Sequence, residues 1–197
     1  VPEVQETGGT LVENARLKAV ALCEATGLPA IADDTGLEVD ALGGAPGVFT
    51  ARFAGEGASY ADNVAKLLEE LAKIPLSSHA GGAAAGGTTP GEATGHPRSA
   101  RFRTVAICRF PDGTEVVAQG VVEGEIAEEP RGKSGFGYDP IFVLAGGGGR
   151  SFAEMPAAQK NAVSHRGLAF RALAAELARL RPAHAGQNGH RERPGSR

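Results

Sequence analysis

Two adjacent carboxylates and a hydroxyl, Asp33-Asp34-Thr35, follow the short apolar run Ala30-Ile31-Ala32 and precede Gly36 and the pair Gly43-Gly44. The apolar run reads as a buried strand and the glycine pair as a turn. Side chains alternate faces along an extended segment, so Asp33 and Asp34 reach one site only if the strand has already broken. One of them then serves structure and the other chemistry. Carboxylates crowded at a strand end, before a glycine that turns the backbone, suit holding Mg²⁺ or activating a water. Asp-Asp-Thr-Gly is also ordinary turn chemistry.

Further groups lie before and after this stretch. Glu13 has two readings: the carboxylate of a capping box with Thr10, or a group sharing a cation with the carboxylates after the next strand. Phe136 stands between Gly135 and Gly137, where the backbone can approach a ligand and a flat base could stack on the ring. A turn carrying a core aromatic explains it too. Ser164 reads as a helix N-cap, which puts His165 and Arg166 in the first turn. Cations are disfavoured there by the helix dipole, so the pair calls for an anion or a functional reason, such as a bound phosphate or a carbonyl-rich base. Arg52 follows a Gly/Pro loop and reads, on its own, as a surface charge.

The elements that must position these groups are legible in outline. A helix runs from Thr10 to the stop at Gly27 and Pro29, with Leu11, Ala15, Ala19 and Leu22 inward. A second begins at Ser59, capped by Asp62, with Ala61, Val64, Ala65, Leu68, Leu71 and Ala72 as its stripe, and ends at Pro75. Phe102, Thr104, Ala106, Cys108 and Phe110 alternate with Val105 and Ile107, and Pro111-Asp112-Gly113-Thr114 turns the chain into residues 115–122. This hairpin is apolar on both faces, which predicts a sheet covered on both sides. A strand follows at Ile141-Phe142-Val143. Lys160 lies on a short helix, and Ala169, Leu173, Leu177 and Leu180 face inward on the next. Residues 77–98 form a low-complexity insertion of Gly, Ala, Thr and Pro, read as flexible, and 183–197 a polar tail, read as disordered.

Composition bounds the rest. The 197 residues are 42% hydrophobic and 22% charged, with a net charge of −3. That is one domain, residues 1–182, able to bury a core, and not the basic balance of a general nucleic-acid binder. No apolar run suits a membrane span or a signal peptide, so the expectation is a soluble cytoplasmic protein. Cys23 and Cys108 lie within apolar periodic segments and read as buried reduced thiols. The chain opens at Val1 without an initiator methionine, which points to sequence upstream.

Residues 32–47, Gly135-Phe136-Gly137-Tyr138-Asp139-Pro140 and Lys160-Asn161-Ala162-Val163-Ser164-His165-Arg166, in that order, resemble the signature blocks of the inosine triphosphate pyrophosphatase family, the XTP/dITP diphosphatases. Glu13-Asn14-Ala15-Arg16-Leu17-Lys18-Ala19 resembles a fourth block. The resemblance implies an α/β fold, a twisted mixed sheet flanked by helices, with two lobes, one built from the hairpin, and a central cleft. It implies Mg²⁺-dependent hydrolysis of ITP, dITP and XTP to the monophosphate and pyrophosphate, by a homodimer. Asp34 would be the catalytic base and, with Glu13, hold Mg²⁺. Thr35, Phe136, Gly137, Tyr138, Asp139, Lys160, His165 and Arg166 would bind substrate, with Lys18 and Arg52 as phosphate or interface contacts. The family's opening Ser/Thr-x-Asn-x-x-Lys turn has no counterpart before Glu13, so about one βαβ unit, roughly 30 residues, is expected to be missing. Two rivals follow: a truncated nucleotide-binding protein without catalysis, and a pyrophosphatase of modified pyrimidine nucleotides of the related Maf type.

Overall fold

The computed structural model describes residues 4–74 and 98–180. The Pro75 stop, all of the expected insertion but Arg98, and the expected tail lie outside them. The order is α1 (Leu11–Thr26), β1 (Ala30–Val39), β2 (Pro46–Gly47), α2 (Tyr60–Ala72), β3 (Ser99–Arg109), β4 (Glu115–Ile126), β5 (Phe142–Leu144), α3 (Ala157–Val163) and α4 (His165–Leu180), with short 3₁₀ turns at Asp40–Leu42, Thr50–Arg52 and Phe152–Glu154.

The helix ends follow local chemistry. Thr10 and Glu13 close a capping box at the start of α1, and Ser59 and Asp62 close another at α2. Gly27 ends α1 in the left-handed region at φ 66°. Ser164 Oγ accepts from the Gly167 amide at 3.1 Å and caps α4. On α2 the buried face is Asn63, Val64, Leu67 and Leu71, while Ala61, Ala65 and Ala72 are exposed. Two hydrogen bonds set this rotation: Asn63 accepts from the Ala54 amide at 2.7 Å and donates to the Ala51 carbonyl at 3.0 Å. Leu180, expected inward on α4, is exposed.

The sheet has the order β2-β1-β3-β4-β5. Each pairing among the described strands is antiparallel, where a mixed sheet was expected. The tight turn after β3 imposes this sense on the hairpin, and β1 runs against β3 over ten paired residues, from Ala30↔Arg109 to Val39↔Ala100. The hairpin is thus the middle of the sheet. Its strands, 11 and 12 residues long, outreach any one helix packed on them, and their two ends carry separate cores. At one end Leu37, Val39, Phe102, Val122 and Ile126 pack with α2 and Phe142 and Phe152. At the other, Ala106, Cys108, Val116 and Ala118 pack under Ala169 and Leu173 of α4. On the opposite face Val105 and Ile107 lie under Leu11, Ala15 and Ala19 of α1. Coverage of that second face stops at β3, since Val117, Gln119 and Glu123 of β4 are exposed there. Cys23 and Cys108 are buried free thiols.

Between the two ends the sheet carries Thr35, Thr104 and Gly120 side by side. A Cβ at Gly120 would lie 2.1 Å from the His165 carbonyl oxygen and 2.5 Å from the Ala169 amide. The missing side chain therefore lets the first turn of α4 sit directly on β4. There the buried His165 ring stacks on Phe102, with 4.5 Å between centroids and 20° between planes. Burial, aided by the charges of Lys160 and Arg166, pushes the His165 pKa down to about 4.

Two outcomes follow for the seat of α4. Gly120→Ala is expected to destabilise the protein by about 1–3 kcal/mol, the usual range for overpacking, as urea unfolding would measure. For His165, folding lowers the pKa from 6.5 to about 4, so the unfolded chain binds more protons between those values and stability falls as pH drops through them. The loss should reach about 3 kcal/mol by pH 4, and the His165→Asn variant should lack that part of the slope in unfolding measured at pH 7, 5.5 and 4.

Candidate active site

β1 does not break at its carboxylates. It continues through Asp33, Asp34, Thr35 and Gly36 to Val39, so the expected turn at Gly36 is not there. Gly36 serves close packing instead, as a Cβ would come within 2.8 Å of the Gly47 carbonyl oxygen of β2. With the strand intact, alternation sends Asp33 and Asp34 to opposite faces.

Asp34 is on the α1 face and 8% exposed. Its Oδ1 accepts from the Lys18 ammonium at 2.8 Å, and the same ammonium donates to Glu6 Oε1 at 2.8 Å. Arg52 closes on Glu6 from the other side, with Nη1 at 3.7 Å from its carboxylate and Nη2 donating to its carbonyl at 3.3 Å. Asn14 is fully buried beside them, and its Oδ1 holds the Gly8 amide at 2.8 Å, which anchors the extended segment bearing Glu6. Burial pushes the Asp34 carboxyl above its ordinary value, and the Glu6 charge adds to this against the pull of Lys18. Lys18 is itself raised: burial would lower it, but hydrogen bonds to Asp34 and Glu6 outweigh that.

Glu13 is elsewhere. Its Oε2 accepts from the Gly9 and Thr10 amides at 2.7 and 3.1 Å, so that oxygen closes the capping box. The carboxylate facing Asp34 is Glu6, which sequence reasoning missed because an extended segment ahead of a helix cap carries no periodic signal. Lys18 offered the one pointer. It stands four residues after Asn14, on the same face of α1.

The other face of β1 gathers the aromatic and cationic groups. Phe136 is 63% exposed, with its ring free for stacking. Asp139 Oδ2 accepts from the Phe136 amide at 2.8 Å and pairs with Lys160, whose ammonium sits 4.7 Å from the Phe136 centroid. Gly135, at φ +82°, leaves no room for a Cβ, which would meet Asp139 Oδ2 at 2.0 Å. Gly137 turns the loop at φ +60°. Tyr138 is buried in the core at its foot, and its hydroxyl donates at 3.1 Å to the Thr50 carbonyl. That bond ties the Phe136 loop to the 3₁₀ turn carrying Arg52. The Thr35 hydroxyl bonds the Thr104 hydroxyl at 2.7 Å. Arg166 reaches back to Asp33, with Nη2 to Oδ1 at 3.0 Å.

Apart from Glu13, the expected site residues therefore fall into two clusters joined by Tyr138 and the 50–52 turn. One is acidic and basic, around Asp34; the other is aromatic and cationic, with Phe136, Lys160, His165 and Arg166. No three His, Cys, Asp or Glu side chains among the described residues are grouped to hold a metal. The donor set at Asp34 still fits Mg²⁺, which takes one or two protein carboxylates and completes its shell from phosphates and water. Glu6 and Asp34 already share one cation, the Lys18 ammonium.

Comparison with known proteins shows the family. Residues 1–176 match the model of the Ham1 family. A dITP/XTP pyrophosphatase of Streptomyces coelicolor is 47% identical over 173 residues, covering 88% of this chain and 76% of the relative. One from Methylococcus capsulatus is 47% identical over 182 residues, covering 91% and 81%. Among solved structures, a HAM1 protein from Coxiella burnetii superposes with a TM-score of 0.76 at 42% identity, covering 91% of this chain and 82% of the other. A nucleoside-triphosphatase and dITP/XTP pyrophosphatase from Mycobacterium abscessus gives 0.68 at 43% identity, covering 92% and 81%. Matched over residues 1–176 by the family model and over about nine-tenths of its length by relatives and solved structures, the chain belongs to the Ham1 family.

Proposed function

We propose that this chain hydrolyses deaminated purine nucleoside triphosphates, ITP, dITP and XTP, to the monophosphate and pyrophosphate. The carrying observation is the pair of clusters on opposite faces of one strand: a stacking ring with cations on one, a buried carboxylate with an ammonium on the other. The relatives named dITP/XTP pyrophosphatase support the same substrate class.

Asp34 is the catalytic base. Burial raises its pKa towards the working pH, which makes it a better acceptor for the proton of an attacking water. Lys18 and Arg52 supply positive charge for the phosphates. Mg²⁺, held by Glu6 and Asp34, would neutralise charge on the pyrophosphate leaving group. Phe136 stacks on the purine, the loop of Gly137, Tyr138 and Asp139 shapes its pocket, and Lys160, His165 and Arg166 read its edge, with Thr35 beside them. A 6-oxo group accepts where the adenine amine donates, so fixed donors such as Arg166 favour hypoxanthine and xanthine. Leaving those donors unpaired can reject an analogue by roughly 10⁴-fold. The proposal includes a homodimer, which sedimentation would test, and a soluble cytoplasmic setting; no helix among the described residues is long and apolar enough to cross a membrane.

Pyrophosphate release from ITP, XTP, GTP, ATP and dTTP tests the reading, with ITP and XTP expected to lead. A preference for dTTP would sink it in favour of a pyrimidine substrate, and ITP binding without release would favour a binding protein. Asp34→Asn should lower kcat at least about 10²-fold with an unchanged circular dichroism spectrum. Glu6→Gln should raise the Mg²⁺ concentration for half-activation, whereas Glu13→Ala should leave it unchanged and cost about 1 kcal/mol of stability through the lost cap.

A further inference from the structure

Alternation along β1 leaves Asp33 outside the Asp34 cluster, yet its carboxylate is not idle. Arg166 is the second residue of α4, where the helix dipole disfavours a cation. Asp33 supplies the missing anion, with Arg166 Nη2 donating to its Oδ1 at 3.0 Å. The pair is unequal: the Arg166 side chain is 61% exposed and that of Asp33 17%. The carboxylate is the fixed half, because its backbone is in register with the fully buried Ala106 in the centre of the sheet. Among the described residues the Asp33 carboxylate has no other hydrogen bond or ion pair. Phe170 supports the guanidinium from below, its centroid 5.6 Å from Cζ. One of the five guanidinium N–H groups is bound by Asp33, so the rest keep a set direction while free to donate.

We propose that Asp33 is the positioning residue for Arg166, fixing the direction of its free N–H groups and so the discrimination of 6-oxo purines. This rests on the reading that Arg166 contacts the base. A single strand register then sets both halves of the site, since Asp33 aims the base-reading arginine and Asp34, one residue on, stands in the catalytic cluster.

A double-mutant cycle on the full chain tests it, with kcat and KM for ITP and ATP measured on Asp33→Asn, Asp33→Ala, Arg166→Ala and the Asp33→Ala/Arg166→Ala pair. Asp33→Ala and Arg166→Ala should each raise KM for ITP about fivefold, lower the ITP-to-ATP ratio of kcat/KM, and leave kcat within about twofold, as expected when binding common to ground and transition states is lost. The double variant should be no worse than Arg166→Ala alone, and the isosteric Asp33→Asn should fall between wild type and Asp33→Ala. If Arg166→Ala shifts the ratio while both Asp33 variants leave it unchanged, or the two effects multiply, the positioning role is overturned and the base-reading role of Arg166 stands. If Arg166→Ala leaves the ratio unchanged, both fall. A lower Tm for the Asp33 variants with unaltered KM assigns the pair to stability alone and also overturns the proposal; should Asp33→Ala fail to fold, Asp33→Asn decides.

Discussion

The ten-residue pairing of β1 with β3 is the constraint on which the rest depends. It keeps an unbroken strand through two consecutive aspartates, in a segment whose Asp-Thr-Gly sequence would otherwise favour a turn. Because the strand does not break, the two carboxylates part to opposite faces, and each recruits its own cation: Lys18 for Asp34, Arg166 for Asp33. The separation of the two ion pairs is a consequence of strand geometry.

The second constraint is the approach of α4 to the sheet. Gly120 lets the helix start in contact with β4, which brings His165 onto Phe102 and Arg166 to Asp33. Burying a neutral imidazole there is compatible with neutral pH, where a lowered pKa keeps the ring uncharged. The loop bearing Phe136 is fixed by a different device. Asp139 takes both the Phe136 amide and the Lys160 ammonium, leaving the aromatic ring in solvent above the pair. An exposed aromatic held by its own backbone is prepared for a flat ligand without reordering.

Physically the site separates two demands. On the proposed reading, phosphate chemistry needs charge concentrated around a poorly solvated carboxylate, which Glu6, Lys18, Asp34 and Arg52 would supply. Base recognition needs directed donors and a flat apolar surface. Tyr138, through its bond to the Thr50 carbonyl, makes the two regions parts of one scaffold.

Much of this was legible in residue order. The two capping boxes, the Ser164 cap and the alternation of residues 102–110 are local, depending on neighbours within a few positions, and the structure repeats them. That Asp33 and Asp34 would point to opposite faces of an unbroken strand also followed from period-two alternation alone. Of the two readings that residue order offered for Glu13, the structure shows the cap, made through Oε2. It also decided that Glu6 joins Asp34 through the Lys18 ammonium, that Leu67 fills the core under α2 with Leu68 packed at its edge, and that Gly36 serves packing where a turn was expected. Each of these rests on contact between segments distant in sequence, or on a helix rotated by such a contact. Spacing within a segment fixes which way a side chain points, but only the packed sheet determines what it meets there.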